Sequence, residues 1–190
     1  MDARDMTRVL LSAGLVCGGL LMGWGMGAHR LEATSDGGLH RVNRVGLRVG
    51  YRPPPFSATD LQGQPHALKD YEGHVLVLHF WASWCPYCRG EIAKLKHIAQ
   101  AEWQAQGVRV LAVSVDEDLI RLQRFVERAV LPYPVIVDRK TTPSVVELYA
   151  IDGIPVTFVL TRDGHIASRL EGSADIEGAV QRALDQSSAT

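Results

Sequence analysis

Two cysteines are separated by a proline and a tyrosine, in the order Cys85-Pro86-Tyr87-Cys88, directly after an apolar run at 75–82. The run is typical of a buried strand, and Pro86 suits the first position of a helix, where its missing N–H costs nothing. Cys85 would then lie at a helix N-terminus, where the macrodipole and free backbone N–H groups stabilise a thiolate. A thiolate with a second thiol one turn away can form and break disulfides. The spacing therefore predicts redox chemistry at this pair.

The first 28 residues predict a membrane anchor. Residues 9–28 carry no charge and are about long enough to cross a bilayer as one helix. Cleavage as a signal peptide, with 26–28 as a weak cleavage site, is the alternative. Cys17 lies in this stretch and is interpreted as a passive buried cysteine, with lipid attachment as the alternative. Basic residues on both sides leave the orientation of the segment open.

Length and composition place one globular domain after this segment. Residues 29–50 are polar and predict a tether, 51–186 have the length of one domain, and 187–190 form a tail. The formal net charge of −1 gives no indication of a nucleic-acid partner. Three cysteines do not make a disulfide-held fold, and no second pair completes an all-thiolate zinc site. No metal site is therefore predicted.

Hydrophobic periodicity predicts an α/β fold with a mixed central sheet and helices on both sides. A hairpin at 56–68 leads into the buried strand at 75–82. The remaining elements are predicted as strands at 108–115, 134–137, 156–160 and 165–170, and as helices after the cysteine motif, at 143–150 and at 175–184. Strands linked through helices pair in parallel, whereas the final hairpin pairs antiparallel.

Two helix boundaries are predicted near the cysteines. The helix that begins beside Cys85 is expected to continue until Gly107 ends it. Asp116 follows the second buried strand, and we expect its side chain to cap a helix over about 117–130. Both predictions depend on local signals alone.

The residues quoted so far carry a family resemblance. The segment 79–91 resembles the active-site segment of thioredoxin-fold proteins, and 152–160 resembles the cis-proline loop of that fold. Over about 51–186 the chain is most similar to the TlpA/ResA/CcmG (DsbE) group, which are membrane-anchored extracytoplasmic thiol:disulfide oxidoreductases with an extra N-terminal hairpin. The resemblance implies protein thiols and disulfides as substrates, no cofactor, and a membrane redox partner that recharges the site. It also implies a bacterial inner-membrane location with the domain in the periplasm, or secretion there after signal cleavage.

The resemblance assigns roles to the cysteines and to a nearby carboxylate. Cys85 is expected to be the exposed nucleophile, and Cys88 to lie one turn deeper and resolve the mixed disulfide, so that the redox disulfide is Cys85–Cys88. Glu91 matches the acidic residue that moves protons for the resolving cysteine in this group. An ordinary first-turn glutamate, favoured by the helix dipole, is the alternative.

Five residues are predicted to line the substrate side of the site. Trp84 is expected at its rim, and Pro86 and Tyr87 influence the reduction potential in this fold. Pro155 is expected in the cis form, with the backbone of Ile154 pairing with a substrate peptide in strand-like fashion. A trans proline at a strand start is the alternative.

His79 departs from the family pattern, which has a buried aspartate or an asparagine at this strand position. A histidine could relay protons, or its cation could lower a cysteine pKa. A neutral buried histidine satisfied by backbone groups is the alternative. His79 with Cys85 and Cys88 could also bind copper, so a copper-delivery module is an alternative function, although the relatives that deliver copper usually carry CxxxC.

The predicted activity is disulfide exchange with protein substrates, with reduction as the direction that the family implies. The Pro86-Tyr87 dipeptide resembles that of glutaredoxin and is near the Pro-His of oxidising DsbA proteins, so an oxidant or isomerase is the alternative direction. A peroxidase of the peroxiredoxin type is disfavoured because no Pro-x-x-x-Thr-x-x-Cys pattern is present.

Overall fold

The computed structural model describes residues 44–138, 143–172 and 174–188. The anchor predicted at 9–28 and most of the tether predicted at 29–50 lie outside these ranges. Within them, no helix combines the length and the apolar character needed to cross a membrane.

Seven strands and five α-helices follow one another in the described ranges. The strands are β1 Ser57–Thr59, β2 Pro65–Ala67, β3 Val75–Trp81, β4 Val108–Ser114, β5 Val135–Val137, β6 Val156–Leu160 and β7 Ile166–Glu171. The helices are α1 Pro86–Ile98, α2 Ala101–Ala105, α3 Leu119–Ala129, α4 Val145–Leu148 and α5 Ile176–Ser188, with a 3-10 turn at Leu68–Tyr71.

The predicted mixed sheet is confirmed. Its five strands lie in the order β5-β4-β3-β6-β7, with β3, β4 and β5 parallel and with β6 antiparallel to both β3 and β7. The hairpin β1–β2 is antiparallel and forms one bridge, between Asp60 and Ile136, with the edge strand β5. The carboxyl ends of β3 and β4 therefore share an edge with the start of β6.

Strand β3 is buried along its whole length because both faces of the sheet are covered. Alternate side chains belong to different cores: Val75, Val77 and Trp81 pack among residues of α1 and α5, whereas Leu76 and Phe80 pack among residues of the other face. The odd-numbered positions of β3 therefore share a face with the two cysteines, and His79 is one of them.

The predicted helix boundaries were wrong at two points. The helix after the cysteines ends at Ile98, and the separate α2 begins after Gln100, whose backbone is extended. Asp116 caps no helix: Asp118 caps α3 by accepting a hydrogen bond from the Arg121 N–H at 3.0 Å. The physical reason is that the Asp116 carboxylate is already bonded to buried partners on the sheet side, so capping falls to the next aspartate.

Candidate active site

Cys85 is the N-cap residue of α1. Its backbone is extended, and its sulfur accepts a hydrogen bond from the Cys88 N–H at 3.2 Å. Pro86 occupies the first helical turn, as predicted, where an N–H would have no partner within the helix. Cys85 and Cys88 are joined as a disulfide. This is the arrangement in which helix N–H groups and the helix dipole stabilise the Cys85 thiolate once the bond is reduced.

The prediction that Cys85 is exposed was wrong for this disulfide form. Cys85 is only 4 % exposed, because its side chain belongs to the apolar cluster formed by β3, α1 and α5, and Cys88 is fully buried. The neighbouring side chains of Trp84 and Tyr87 are 50 % and 73 % exposed. A partner that reaches the disulfide must therefore approach between or beside these two aromatic rings.

The predicted proline loop lies at the same edge of the sheet. The Ile154–Pro155 peptide bond is cis, as the resemblance implies. Val156 follows directly and pairs with Phe80, one residue before the end of β3, so the loop adjoins the turn that carries Cys85. Ile154 is half-buried and packs against the apolar clusters on both faces of the sheet. Its pairing with a substrate peptide stays a prediction.

His79 is buried in β3 and faces Thr157 on the adjacent strand. Its Nδ1 lies 2.9 Å from the Thr157 hydroxyl oxygen and 3.9 Å from Oε2 of Glu91. Burial lowers the pKa of His79 to about 3, so the imidazole is neutral at neutral pH. The expected backbone partner is replaced by a side-chain hydroxyl, and within the described residues Nε2 has no hydrogen-bond partner. Burial therefore favours the neutral imidazole over the cation that could have lowered a cysteine pKa.

Glu91 lies in the second turn of α1, not in the first turn that the dipole interpretation requires. It is 2 % exposed, and its Oε1 accepts a hydrogen bond from the Ala174 N–H at 3.4 Å. Among the described residues Oε2 has no hydrogen-bond partner. Burial raises the pKa of Glu91, against the opposing effects of the Ala174 N–H and the Lys94 charge. A buried carboxyl with a raised pKa, one turn beyond Cys88, is suited to general acid–base work.

Sequence reasoning missed one buried polar cluster at this site. Ser83, Ser114 and Asp116 are buried together where β3 and β4 end, and they are hydrogen-bonded to one another. The available signal was the position of polar residues after two neighbouring parallel strands, whose carboxyl ends meet at one edge.

The residues of the copper alternative are not arranged as a metal site. In the described part of the chain, no group of three or more His, Cys, Asp and Glu side chains is placed to hold a metal ion. Cys85 and Cys88 are bonded to each other, and the nearest polar partner of His79 is the Thr157 hydroxyl.

The buried imidazole should make the fold sensitive to acid. An unfolded histidine titrates near pH 6.5, whereas the pKa of His79 in the fold is about 3. Its contribution to stability is therefore complete above about pH 6.5 and is lost as the pH falls toward 3, by about 1.4 kcal/mol per pH unit. His79→Asn should flatten the decline in the free energy of unfolding between about pH 6.5 and pH 5, measured by urea unfolding.

His97 provides the matched control because it is exposed on the same helix as the active-site turn. The assignment of a neutral buried imidazole is refuted if His79→Asn and His97→Asn change the pH slope equally.

Comparison with known proteins identifies what the chain resembles. Residues 49–169 match the AhpC/TSA family. The thiol-disulfide oxidoreductase ResA of Geobacillus thermodenitrificans (strain NG80-2) is 32% identical over 132 residues, which are 70% of this chain and 74% of that relative. A thiol:disulfide interchange protein of the thioredoxin family from Chlorobium tepidum TLS matches with a TM-score of 0.63 and 27% identity, over 73% of this chain and 99% of that one.

A second structure extends the comparison. A secreted thiol-disulfide isomerase from Corynebacterium glutamicum matches with a TM-score of 0.62 and 27% identity, over 72% of this chain and 85% of that one. The described domain thus shares its fold with proteins named for thiol–disulfide exchange.

Proposed function

The chain belongs to the AhpC/TSA family and is a thiol:disulfide oxidoreductase of the TlpA/ResA/CcmG type, and on that premise we propose that it reduces disulfides in protein substrates outside the cytoplasm. The observation that carries the proposal is the position of Cys85 at the mouth of α1, bonded to Cys88 and within reach of the Cys88 N–H. A reductant needs a thiolate that is populated at working pH and a second thiol that closes the ring.

In the proposed reaction the Cys85 thiolate attacks one sulfur of the substrate disulfide. A mixed disulfide forms, and the other substrate sulfur leaves as a thiolate that takes up a proton from solvent. Cys88 then loses its proton and attacks the Cys85 sulfur, which releases the second substrate thiolate. Two electrons pass to the substrate, and the enzyme is left as the Cys85–Cys88 disulfide, the form described here.

Glu91, beside the neutral His79, is the proposed acceptor of the Cys88 proton. A fully buried thiol is a poor acid, because burial penalises the thiolate. Glu91 is the proposed base, since it is buried one turn beyond Cys88 on α1 and its Oε2 has no hydrogen-bond partner among the described residues. His79, with Nδ1 3.9 Å from that oxygen, is proposed to stay neutral beside the carboxylate, because its pKa of about 3 makes it too weak a base to take the proton from Glu91.

The substrate is proposed to dock across the exposed edge of the sheet. Trp84 and Tyr87 offer exposed aromatic surface on one side of the disulfide, and Pro86 lies exposed between Tyr87 and Cys85. On the other side, the backbone of Ile154 beside Pro155 is the proposed strand-like partner of an extended peptide. Strand-like pairing of this kind recognises the peptide backbone more than the side chains, which suits a reductant that acts on several proteins.

The proposed location rests on sequence features rather than on the fold: an anchor at 1–28, a tether at 29–50, and the domain at 51–186 in the periplasm of a bacterium, attached to the inner membrane. A membrane redox partner would return electrons to the Cys85–Cys88 disulfide after each turnover, because the reaction consumes the dithiol. Release into the periplasm after signal cleavage is the alternative.

The reduction potential tests the proposed direction. The full-length chain is equilibrated with mixtures of reduced and oxidised glutathione, and the dithiol fraction is counted after alkylation. We expect a potential below about −250 mV, as for thioredoxin-like reductants. A value near −120 mV would instead indicate an oxidant, in line with the Pro86-Tyr87 dipeptide. A chain that exchanges no disulfides with any donor would refute the function itself.

A further inference from the structure

The buried Asp116 carboxylate is hydrogen-bonded to the turn that precedes Cys85 and α1. Asp116 accepts hydrogen bonds from the Ser83 N–H at 2.8 Å and from the Ser83 hydroxyl at 2.6 Å, one on each carboxylate oxygen. The Ser114 hydroxyl donates a further bond at 2.8 Å. All three residues are almost completely buried.

These bonds join the ends of two neighbouring strands. Ser114 is the last residue of β4 and pairs with Trp81, the last residue of β3. The Val115 N–H extends that ladder by donating to the Trp81 carbonyl at 2.9 Å. Asp116 lies one residue further and reaches across to Ser83, where β3 has ended and pairing between the strands has stopped. The carboxylate therefore replaces the sheet as the support of the chain at this point.

The supported residue is two positions before Cys85. Between them the chain makes a tight turn, in which the Cys85 N–H donates to the Ala82 carbonyl at 3.2 Å. Without Asp116, the Ser83 N–H would be buried with no hydrogen-bond partner, an unfavourable state that a movement of the turn would relieve. Because the turn ends at Cys85, such a movement also shifts the Cys85 sulfur away from the Cys88 N–H.

We propose, on the basis of the function proposed above, that Asp116 is a positioning residue for the redox centre: through Ser83 it holds Cys85 at the N-cap of α1, where the helix stabilises its thiolate. Asp116 contacts neither the sulfurs nor the substrate in this role. It acts through the geometry of one turn.

A charge effect would act in the opposite direction. The negative charge of a nearby carboxylate destabilises a thiolate, so its removal should make the Cys85 thiol more acidic. Loss of positioning should make it less acidic. Asp116→Asn separates the two, because an asparagine oxygen can accept from the Ser83 N–H and the Ser114 hydroxyl while its amide donates to a rotated Ser83 hydroxyl.

The experiment measures the acidity of Cys85 and the reduction potential in the full-length chain. The pH dependence of alkylation of the reduced protein gives the acidity of Cys85. Equilibration with glutathione gives the reduction potential. We expect Asp116→Ala to lower the acidity constant of Cys85 about tenfold. The equilibrium constant for reduction by glutathione should fall by a similar factor, which is about 30 mV for a two-electron couple. Asp116→Asn should stay within about twofold of the wild type in both.

Two serine variants keep the test decisive if Asp116→Ala does not fold. Ser83→Ala removes one bond to Asp116 from the active-site turn and should lower the acidity constant about threefold. Ser144→Ala is the matched control, since Ser144 caps α4 and also bonds to an aspartate, Asp138, away from the cysteines. Ser144→Ala should reduce stability without changing the acidity constant of Cys85 or the reduction potential.

The outcomes separate this inference from the function on which it rests. Positioning is refuted if Asp116→Asn and Asp116→Ala both make Cys85 more acidic, or if Ser83→Ala behaves like Ser144→Ala. The proposed function fails instead if the wild-type chain itself exchanges no disulfides.

Discussion

Cys85→Ser should abolish disulfide exchange, with a loss of about a thousandfold or more in the rate of reduction of a model protein disulfide. A serine hydroxyl in place of the N-cap sulfur is not ionised near neutral pH and cannot form the mixed disulfide. The measurement is the rate of substrate reduction by the full-length chain under excess dithiol. The fold should be retained, because the serine oxygen can still accept the Cys88 N–H that the sulfur accepts in the wild type.

The other two cysteines provide the contrast. In Cys88→Ser, Cys85 should still attack the substrate disulfide, but the mixed disulfide should not be resolved. The substrate should therefore be trapped as a covalent complex on Cys85. Cys17→Ser, which changes the one remaining cysteine of the chain, should leave the rate unchanged. Equal rates for Cys85→Ser and the wild type would end the assignment of Cys85 as nucleophile.

The parts of this protein that could be predicted from sequence are those specified by neighbouring residues. The mostly apolar β3 and the proline after Cys85 specify a buried strand and a helix start within about a dozen residues. The mixed sheet follows from the order of strands and helices. The proline loop before β6 was found through resemblance, since a single proline carries no such signal by itself.

The parts that failed depend on contacts between residues far apart in the chain. Asp116 and Asp118 are equally good capping residues locally. Asp116 instead binds Ser114 and also Ser83, and Ser83 lies 33 positions earlier, where local signals do not reach. The burial of Glu91 likewise depends on Ala174, 83 positions later. The burial of Cys85 was missed for a different reason. Exposure was expected because a nucleophile must be reached by its substrate, whereas in the structure Cys85 belongs to the apolar cluster.

The proposed site separates two tasks: lowering the pKa of Cys85 and removing the proton of Cys88. For Cys85 we expect the N-terminus of α1 to lower the thiol pKa, because the Cys88 N–H bonds to its sulfur. Cys88 is fully buried, and the N-terminus of α1 offers no group that could accept its proton. We expect that step to need a base inside the core, and Glu91 is a buried carboxylate one turn beyond Cys88, with Oε2 3.9 Å from Nδ1 of His79.

Glu91→Gln should therefore slow the resolution of the mixed disulfide by about a hundredfold, the lower range for loss of a general base. Only the carboxylate form can accept the Cys88 proton. In the wild type the rate should rise as the pH increases through the pKa of Glu91, which burial raises above its usual value. The glutamine variant should lack that rise. Single-turnover release of substrate from the Cys85 mixed disulfide, measured against pH, checks both effects.

Unfolding cannot account for this loss, because the linkage has the opposite sign. A carboxyl with a raised pKa in the fold contributes stability that is complete below its unfolded pKa and is lost as the pH rises through the folded value. Glutamine stays neutral, so Glu91→Gln should be at least as stable as the wild type at neutral pH. Glu102→Gln, on the exposed side of α2, is the matched control and should leave the profile unchanged. If both variants kept the wild-type rise with pH, the Cys88 proton would have to leave by a route that does not include Glu91.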